Sequence, residues 1–219
     1  GVERARATAP TRICRGDRRG RTVVKLEEKR AWSGPSLGCI YWQDPASGER
    51  VRFTSEHAGQ AAALADALDN LTWLMTSGMA GDCPAAAADK VVARRVLANS
   101  TKPLVFCCND VTSVKALYDM AVMCQGSREV FERTPLVVHY SEPISPLTYY
   151  DPAVEKVIFC AEHLIPLINF PAPQCSGTAP ATLAGNVVQG SAESLSGLVL
   201  HQAANPGAPF IYGAFTTIM

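Results

Sequence analysis

Residues 135–170 read P-L-V-V-H-Y-S-E-P-I-S-P-L-T-Y-Y-D-P-A-V-E-K-V-I-F-C-A-E-H-L-I-P-L-I-N-F. The first six residues form a short apolar run, which is the pattern of a strand buried on both faces of a parallel sheet. Asp151 and Pro152 predict the start of a helix that continues to about His163, since both residue types are favoured at helix starts. Residues 164–170 are apolar again and predict the next strand. The stretch is therefore one strand–helix–strand unit.

This unit recurs along most of the chain. Strands are predicted to begin near residues 71, 103, 135, 164 and 209, and the first four are about 30 residues apart. Helices are predicted before the first strand, from Thr54 or Ser55 to about Asp69, and after the first four strands, over residues 82–99, 110–124, 151–163 and 182–204. Repeated βα units of this kind form either a doubly wound sheet or a (βα)8 barrel.

The barrel is the favoured alternative. No G-x-G-x-x-G and no G-x-x-x-x-G-K-S/T motif follows any predicted strand, so a nucleotide-binding doubly wound sheet lacks its usual support. The even spacing is typical of a barrel, although a closed barrel needs eight units. The sequence therefore predicts an α/β fold in which residues 54–219 form about five βα units of a TIM-type barrel.

Residues 1–53 are predicted to be an irregular basic extension with a small β-hairpin. Strands are expected over residues 22–26 and 50–53, and D-P-A-S-G at residues 44–48 has the composition of a turn. The first 30 residues contain ten Lys or Arg and four Asp or Glu. Because they contain no aromatic residue that could stack on bases, a solvated extension that lies on the body is favoured over a nucleic-acid-binding arm.

Composition narrows the class of protein further. The formal net charge is zero, hydrophobic residues make up 47% and charged residues 18%, and no apolar run of about 18 residues occurs. We therefore expect a cytoplasmic protein with a sizeable core and with neither a nucleic acid nor a membrane as partner. The eight cysteines show no C-x-x-C pair, which favours buried, reduced thiols.

Candidate functional residues lie where the predicted strands end, because barrel active sites are built at the carboxyl ends of strands. Glu142 could face a cationic ligand or act as a base, Tyr140 and Tyr212 could form walls of an aromatic cage, and Asn109 and Gln174 could orient a polar group. The alternatives are a solvated or helix-capping role for Glu142, a turn for Asn109, and plain core packing for the aromatic rings.

A metal site is not expected. His139 and His163 could be combined with Cys108 and Cys175, but the four residues show no ligand spacing, and His139 lies inside a predicted strand, where a packed core histidine is favoured. The lysines fall in predicted helices or before strands, which argues against a Schiff base. No catalytic residue is assigned.

Four segments resemble the trimethylamine methyltransferase family. They are H-Y-S-E-P-I-S-P-L at 139–147, K-V-I-F-C-A-E-H-L-I-P-L-I-N-F-P-A-P at 156–173, G-T-A-P-A-T-L-A-G at 177–185 and L-V-L-H-Q-A-A-N-P-G-A-P-F-I-Y-G-A-F-T-T-I-M at 198–219. The resemblance extends over most of residues 35–219 and implies a (βα)8 barrel, of which this chain would be a fragment of about half the length. It also places the family's pyrrolysine position beyond Met219.

The resemblance implies transfer of a methyl group from a tertiary or quaternary amine, such as trimethylamine or glycine betaine, to the cobalt of a separate corrinoid protein. The chain itself would bind no cofactor, and the full-length protein would be a homo-oligomer. Two alternatives stay open. One is a truncated barrel remnant without activity, and the other is a TIM-barrel enzyme of unrelated chemistry.

Overall fold

The computed structural model describes residues 14–25, 31–36 and 38–218. Its helices are α1 (Ser55–Ala67), α2 (Ala85–Asn99), α3 (Val111–Gln125), α4 (Arg128–Arg133), α5 (Asp151–Glu162) and α6 (Leu183–Ala204). Its strands are β1 (Cys14–Gly16), β2 (Thr22–Lys25), β3 (Tyr41–Gln43), β4 (Arg50–Arg52), β5 (Leu74–Met75), β6 (Leu104–Phe106), β7 (Val137–Ser141), β8 (Leu167–Asn169), β9 (Gln174–Cys175), β10 (Phe210–Tyr212) and β11 (Thr217–Ile218).

Five of these strands form a parallel sheet in the order β10-β8-β7-β6-β5. Leu74 is paired with Leu104 between β5 and β6, while His139 and Phe210 are both paired with Leu167 of β8. Helices separate successive strands of the sheet, so the predicted α/β class and the predicted order of βα units are confirmed. Closure into a barrel stays a proposal, as does the division of the chain at residue 53.

The described residues divide into two compact units, one within residues 14–137 and one within residues 138–218. In the first unit, the predicted hairpin is present as β3 and β4, which pair antiparallel. Asp44 closes its turn, because one carboxylate oxygen accepts hydrogen bonds from the N–H groups of Ala46 at 2.9 Å and Ser47 at 2.7 Å. This Asx turn is the local reason that residues 44–48 reverse the chain.

Side-chain caps set the starts of helices in the same unit. Thr54 caps α1 and forms a capping box with His57. Asp110 caps α3 by accepting a 2.8 Å hydrogen bond from the N–H of Ser113. The residue that follows Asn109 therefore has a structural role, as is usual for Asp immediately before an apolar helix.

The second unit contains β7, β8 and β10 with helices α5 and α6. Thr182 caps α6 by accepting a hydrogen bond from the N–H of Gly185 at 3.1 Å. The buried side of α6 includes Gly190, Ser194, Gly197 and His201, which recur at intervals of three or four residues. Small residues at this spacing let a helix approach its neighbours closely.

The sequence prediction missed four short elements, of which β1 pairs antiparallel with β2. Helix α4 follows α3 almost directly, because Gly126 ends α3 in a left-handed conformation with a φ of 88° and Ser127 caps the next helix. Strands β9 and β11 contain two residues each and pair in parallel, Gln174 with Thr217 and Cys175 with Ile218. Strand β5 is shorter than predicted, since the N–H of Thr72 bonds to the carbonyl of Ser33 outside the sheet.

Two further expectations concern thiols and membranes. The seven cysteines whose side chains the structure describes are free, and Cys108, Cys160 and Cys175 are buried. Burial raises the pKa of the Cys160 thiol well above its ordinary value, which keeps the thiol protonated. Across the described ranges, no helix combines the length and the apolar character that a bilayer crossing requires.

Candidate active site

A cavity of about 600 Å³ opens in the second unit. It is built mainly by the loops that follow β7 and β8, together with one residue of the last described strand. Its lining consists of Glu142, Pro143, Ile144, Ser145, Tyr150, Ala172, Gln174, Thr178 and Thr217. Because β7 and β8 are parallel neighbours, their carboxyl ends meet at one edge, and the loops that leave them converge on this cavity.

Glu142 is the acidic residue of the cavity and follows directly after β7. The residue is exposed to the cavity, yet the atoms packed around its carboxyl group remove part of its water. This desolvation raises the pKa of Glu142 above its ordinary value, although the Tyr140 hydroxyl and the positive charge of Lys156 oppose the rise. The carboxyl group is therefore poised to respond to any cation that enters.

Tyr140 lies on β7, two residues before Glu142, and contacts the Glu142 side chain. Its hydroxyl hydrogen-bonds to the Glu142 carboxylate and lies 3.5 Å from the carbonyl oxygen of Phe170. The rings of Tyr140 and Phe170 meet edge to face with centroids 6.3 Å apart. These contacts hold the phenol beside the carboxylate.

Lys156 brings a positive charge close to the same carboxylate. It lies on α5, is only 4% exposed, and places its Nζ atom 5.8 Å from the centroid of the Tyr150 ring. A cation over an aromatic face is attracted by the ring quadrupole. One face of Tyr150 thus already receives a cation from the protein, while the residue also lines the cavity.

Gln174 also lines the cavity and belongs to β9. Its backbone carbonyl accepts hydrogen bonds from the N–H groups of Gly177, Thr178 and Ala179, each at 3.0 Å. Its own N–H donates to the Thr178 hydroxyl at 3.0 Å. This tight turn places Gln174 and Thr178 side by side, and the β9–β11 pairing brings Thr217 next to Gln174.

The loop after Glu142 is held by a buried carboxylate on α6. Glu193 is 1% exposed. Its two carboxylate oxygens accept hydrogen bonds from the Ser145 hydroxyl at 2.7 Å, the Leu147 N–H at 2.9 Å and the Gln189 amide at 3.0 Å. Leu147 has a φ of 51°, a left-handed conformation that the hydrogen bond to Glu193 helps to maintain. Glu193 therefore fixes the wall that includes Ser145.

A second buried amide lies beneath this loop. Asn169, at the end of β8, is fully buried and hydrogen-bonds through its side-chain amide to the Tyr149 hydroxyl at 3.1 Å and to the backbone carbonyls of Glu193 at 3.4 Å and Ser194 at 3.3 Å. The desolvation of Tyr149 raises the pKa of its phenol, which stays protonated. This network of Asn169, Tyr149 and the backbone of Glu193 and Ser194, which we call the polar floor, joins β8, α6 and the loop.

Comparison with known proteins shows the family of this chain. The family model described as trimethylamine methyltransferase (MTTB) matches residues 1–219, the whole chain. The chain belongs to the trimethylamine methyltransferase family. The resemblance seen in the four sequence segments is thereby confirmed, and the cavity is the pocket of a methyltransferase-family domain.

Three relatives illustrate the range of the family. The chain is 27% identical to "Trimethylamine methyltransferase MttB" of Desulfitobacterium hafniense, over 100% of this chain and 44% of that protein. It is 32% identical to "Proline betaine:corrinoid methyltransferase" of Eubacterium limosum over 45% of this chain and 20% of that protein. It is 36% identical to "Trimethylamine methyltransferase MttB" of Methanosarcina barkeri over 48% and 20%, respectively. The chain thus spans less than half the length of these curated relatives.

The structure brings three of the five residues that the sequence singled out to the methyltransferase-family pocket. Glu142 and Gln174 line the cavity, and Tyr140 bonds to Glu142. Tyr212 lies outside the lining on β10, and its hydroxyl donates to Ser191 at 2.8 Å. Asn109 belongs to the first unit, where its N–H donates to the Asp89 carboxylate at 2.9 Å.

The sequence prediction missed Tyr150, which lines the cavity, and Glu193, which lies behind its wall. Tyr150 directly precedes the predicted Asp-Pro helix start, and that position was the available signal. Glu193 sits within a stretch of small residues on a long predicted helix, where a carboxylate usually faces solvent. Only the folded contacts reveal that it is buried.

The zinc alternative weighed from the sequence concerned His139, His163, Cys108 and Cys175. His139 is fully buried inside β7, as expected for a core histidine. Over the described part of the chain, no group of three or more His, Cys, Asp or Glu residues is arranged to hold a metal ion.

Proposed function

We propose that this chain is the methyl-donor-binding part of a methyltransferase that moves a methyl group from a tertiary or quaternary amine to a corrinoid protein. Trimethylamine and glycine betaine are the donors that fit this proposal. The observation that carries it is the small cavity with Glu142 on its wall, in a chain of the trimethylamine methyltransferase family. The complete protein is proposed to be a closed (βα)8 barrel, cytoplasmic and homo-oligomeric.

Charge and shape together favour such a donor. A methylated ammonium group is a bulky cation with an apolar surface, which aromatic faces and a nearby carboxylate bind well. Tyr150 supplies an aromatic face in the lining, Glu142 supplies the carboxylate, and Gln174 supplies an amide that can orient a polar substituent. The roles of Tyr212 as a cage wall and of Asn109 as an orienting group stay predictions from the sequence, and the lining of the cavity includes neither residue.

The reacting methyl group must point out of the cavity. A corrinoid carried by a partner protein would supply the nucleophilic cobalt, and a group held by another protein can reach this cavity only from its open side. It would therefore meet the donor at the cavity mouth. The chain's own residues bind the ammonium group and orient one methyl group towards that mouth. The methyl group is therefore aligned with the incoming cobalt before the displacement begins.

The charge change during transfer decides which kinetic parameter each residue affects. When the C–N bond breaks, its electron pair stays on nitrogen, so the positive charge of the donor is lost as the methyl departs. A carboxylate that attracts the cation stabilises the bound donor at least as strongly as the transition state. Glu142 should therefore lower KM rather than raise kcat.

The test is methyl transfer to free, reduced cobalamin, followed by its visible absorption, for Glu142→Gln and for Glu155→Gln. Glu155 is an exposed carboxylate on α5 and serves as the matched control. We expect Glu142→Gln to raise KM for a quaternary amine by about tenfold with kcat unchanged or higher, and Glu155→Gln to leave both unchanged. Absence of any transfer by the parent chain, or equal KM values for all three proteins, would contradict the proposal.

A further inference from the structure

Glu193 is a buried carboxylate surrounded by neutral donors. Its three hydrogen bonds come from a hydroxyl, a backbone N–H and a side-chain amide, and among the described residues it takes part in no ion pair. Two oxygens that accept three donors are the pattern of an ionised carboxylate, which has only acceptor sites. A buried charge without a cationic partner is costly unless function requires it.

The positive charge of Lys156 opposes the negative charge of Glu142 at the cavity. Glu142 faces the cavity, but Lys156 is close enough to lower the pKa of that carboxyl. A carboxylate and an ammonium group that lie close together present little net field to a ligand. Lys156 therefore reduces the preference for cations that Glu142 alone would give the pocket, and Glu193 is a further negative charge behind the wall.

Ser145 connects Glu193 to the cavity. It lines the cavity wall, and its hydroxyl donates its single hydrogen to Glu193 at 2.7 Å. Only the lone pairs of Ser145 Oγ then remain available to a ligand, because a serine hydroxyl has one donor and two acceptor sites. Glu193 thus fixes the negative end of the Ser145 dipole towards a bound molecule.

We propose that Glu193 determines the selectivity of this cavity for cationic methylated amines, through its own charge and through the hydrogen bond that orients Ser145. This inference rests on the proposed function and assigns to α6 a share in substrate choice. Glu193 acts behind the wall, so it is a positioning and specificity residue and does not touch the donor. The same field repels an anionic molecule of the same shape and gives a neutral one no added attraction.

The alternative role of Glu193 is purely structural, as an anchor for the loop 143–149. The two roles predict different consequences when the charge is removed and the shape is kept. In Glu193→Gln the amide oxygen can still accept from Leu147 and Gln189, and the amide nitrogen can donate to Ser145. The loop anchor survives this change, whereas the negative charge and the orientation of the serine hydroxyl are lost.

The experiment is calorimetric titration of the chain with choline and with its neutral isostere 3,3-dimethyl-1-butanol. We expect Glu193→Gln to weaken choline binding by about tenfold and to change binding of the neutral alcohol by less than about twofold. Loss of both affinities by one common factor would assign Glu193 a structural role only. Failure of the parent chain to prefer choline over the alcohol would also overturn the inference.

Two further variants complete the design. Ser145→Ala keeps the charge of Glu193 and removes its link to the wall, so we expect a smaller loss of choline preference than in Glu193→Gln. Lys156→Met removes the opposing positive charge and should increase the preference for choline, which tests the charge balance even if Glu193→Gln does not fold. A preference unchanged in Lys156→Met would contradict the inference.

These titrations separate the inference from the proposed function. If cobalamin is methylated but Glu193→Gln keeps the parent preference for choline, the proposed function stands and the inference fails. If no methyl transfer occurs but choline preference depends on Glu193 and Lys156 as expected, the cation selectivity stands and the methyl transfer proposal fails.

Discussion

Gly197 of α6 packs against the side-chain amide of Asn169 at the end of β8. A β-carbon at position 197 would lie 2.7 Å from Cγ of Asn169 and 2.7 Å from the Tyr149 hydroxyl oxygen. Such distances are shorter than ordinary van der Waals contact, so the helix and the polar floor beneath the cavity are in contact only because residue 197 has no side chain.

Gly197→Ala should therefore destabilise the chain although alanine favours helices. Overpacking costs about 1–3 kcal/mol, while the helix propensity gain is about 1 kcal/mol. We expect a net loss of up to about 2 kcal/mol in the free energy of unfolding, measured by urea titration. Gly59→Ala in α1 is the matched control, since its β-carbon would meet only the flexible Asn99 side chain at 3.1 Å. A Gly197→Ala protein more stable than its parent would show that the floor rearranges freely.

Binding of a cationic ligand should strengthen as pH rises through the weakly acidic range. Because desolvation raises the pKa of Glu142, part of the carboxyl population is protonated at a pH where an ordinary glutamate is ionised, and the protonated form does not attract a cation. Choline affinity measured between about pH 4 and 7 should rise to a plateau. In Glu142→Gln the rise should be much reduced, and an unchanged profile would exclude Glu142 as the titrating group.

Tyr140→Phe should move that pH profile in a defined direction. The phenol hydrogen bond favours the ionised form of Glu142 and so opposes the rise of its pKa. Removing the hydroxyl raises the pKa of Glu142 further, and the midpoint of choline binding shifts to higher pH, with nearly the same plateau affinity. A shift to lower pH, measured by the same titration series, would refute the contact.

His201 should make the protein sensitive to acid. It is fully buried, and burial lowers its pKa from 6.5 to about 4. The unfolded state therefore binds a proton more tightly than the folded state, so stability is complete above pH 6.5 and is lost as pH falls towards 4. The loss amounts to roughly 3 kcal/mol for a shift from 6.5 to about 4.

His201→Leu should flatten this part of the stability curve, measured as the free energy of unfolding in urea at a series of pH values. Val199→Ala, at an exposed position of α6 that carries no titrating group, offers a control and should keep the parental slope. An equal slope in His201→Leu and its parent would show that other groups account for the acid sensitivity.

Local rules predicted most elements of the fold. Asp110 and Thr182 cap helices where the sequence placed helix starts, and the Asp44 turn joins β3 to β4 in the predicted hairpin. These features depend on hydrogen bonds between residues within a few positions of each other, which a sequence displays directly. Strands β9 and β11 could not be predicted, because each exists only through pairing with a partner about 40 residues away.

In the candidate site, too, only the features that are local in sequence were predictable. Glu142 and Gln174 follow strand ends, a position that sequence order reveals, and both line the cavity. Glu193 was missed because its burial results from contacts with Ser145 and Leu147, which are more than 40 residues distant. Its neighbours in sequence are small residues that give no sign of a pocket.

The buried side of α6 also restricts how this helix can evolve. A β-carbon at Gly197 would overlap Asn169, and one at Gly190 would meet Ala214 at 3.1 Å and Pro173 at 3.3 Å. The side chains of Leu183, Val187 and Val199 are largely exposed. Mutational drift in α6 is therefore channelled to its outward side, where substitutions accumulate without touching the cavity. A saturation library of this helix should tolerate polar residues at the three exposed positions, admit only small residues at Gly190 and tolerate substitution least at Gly197.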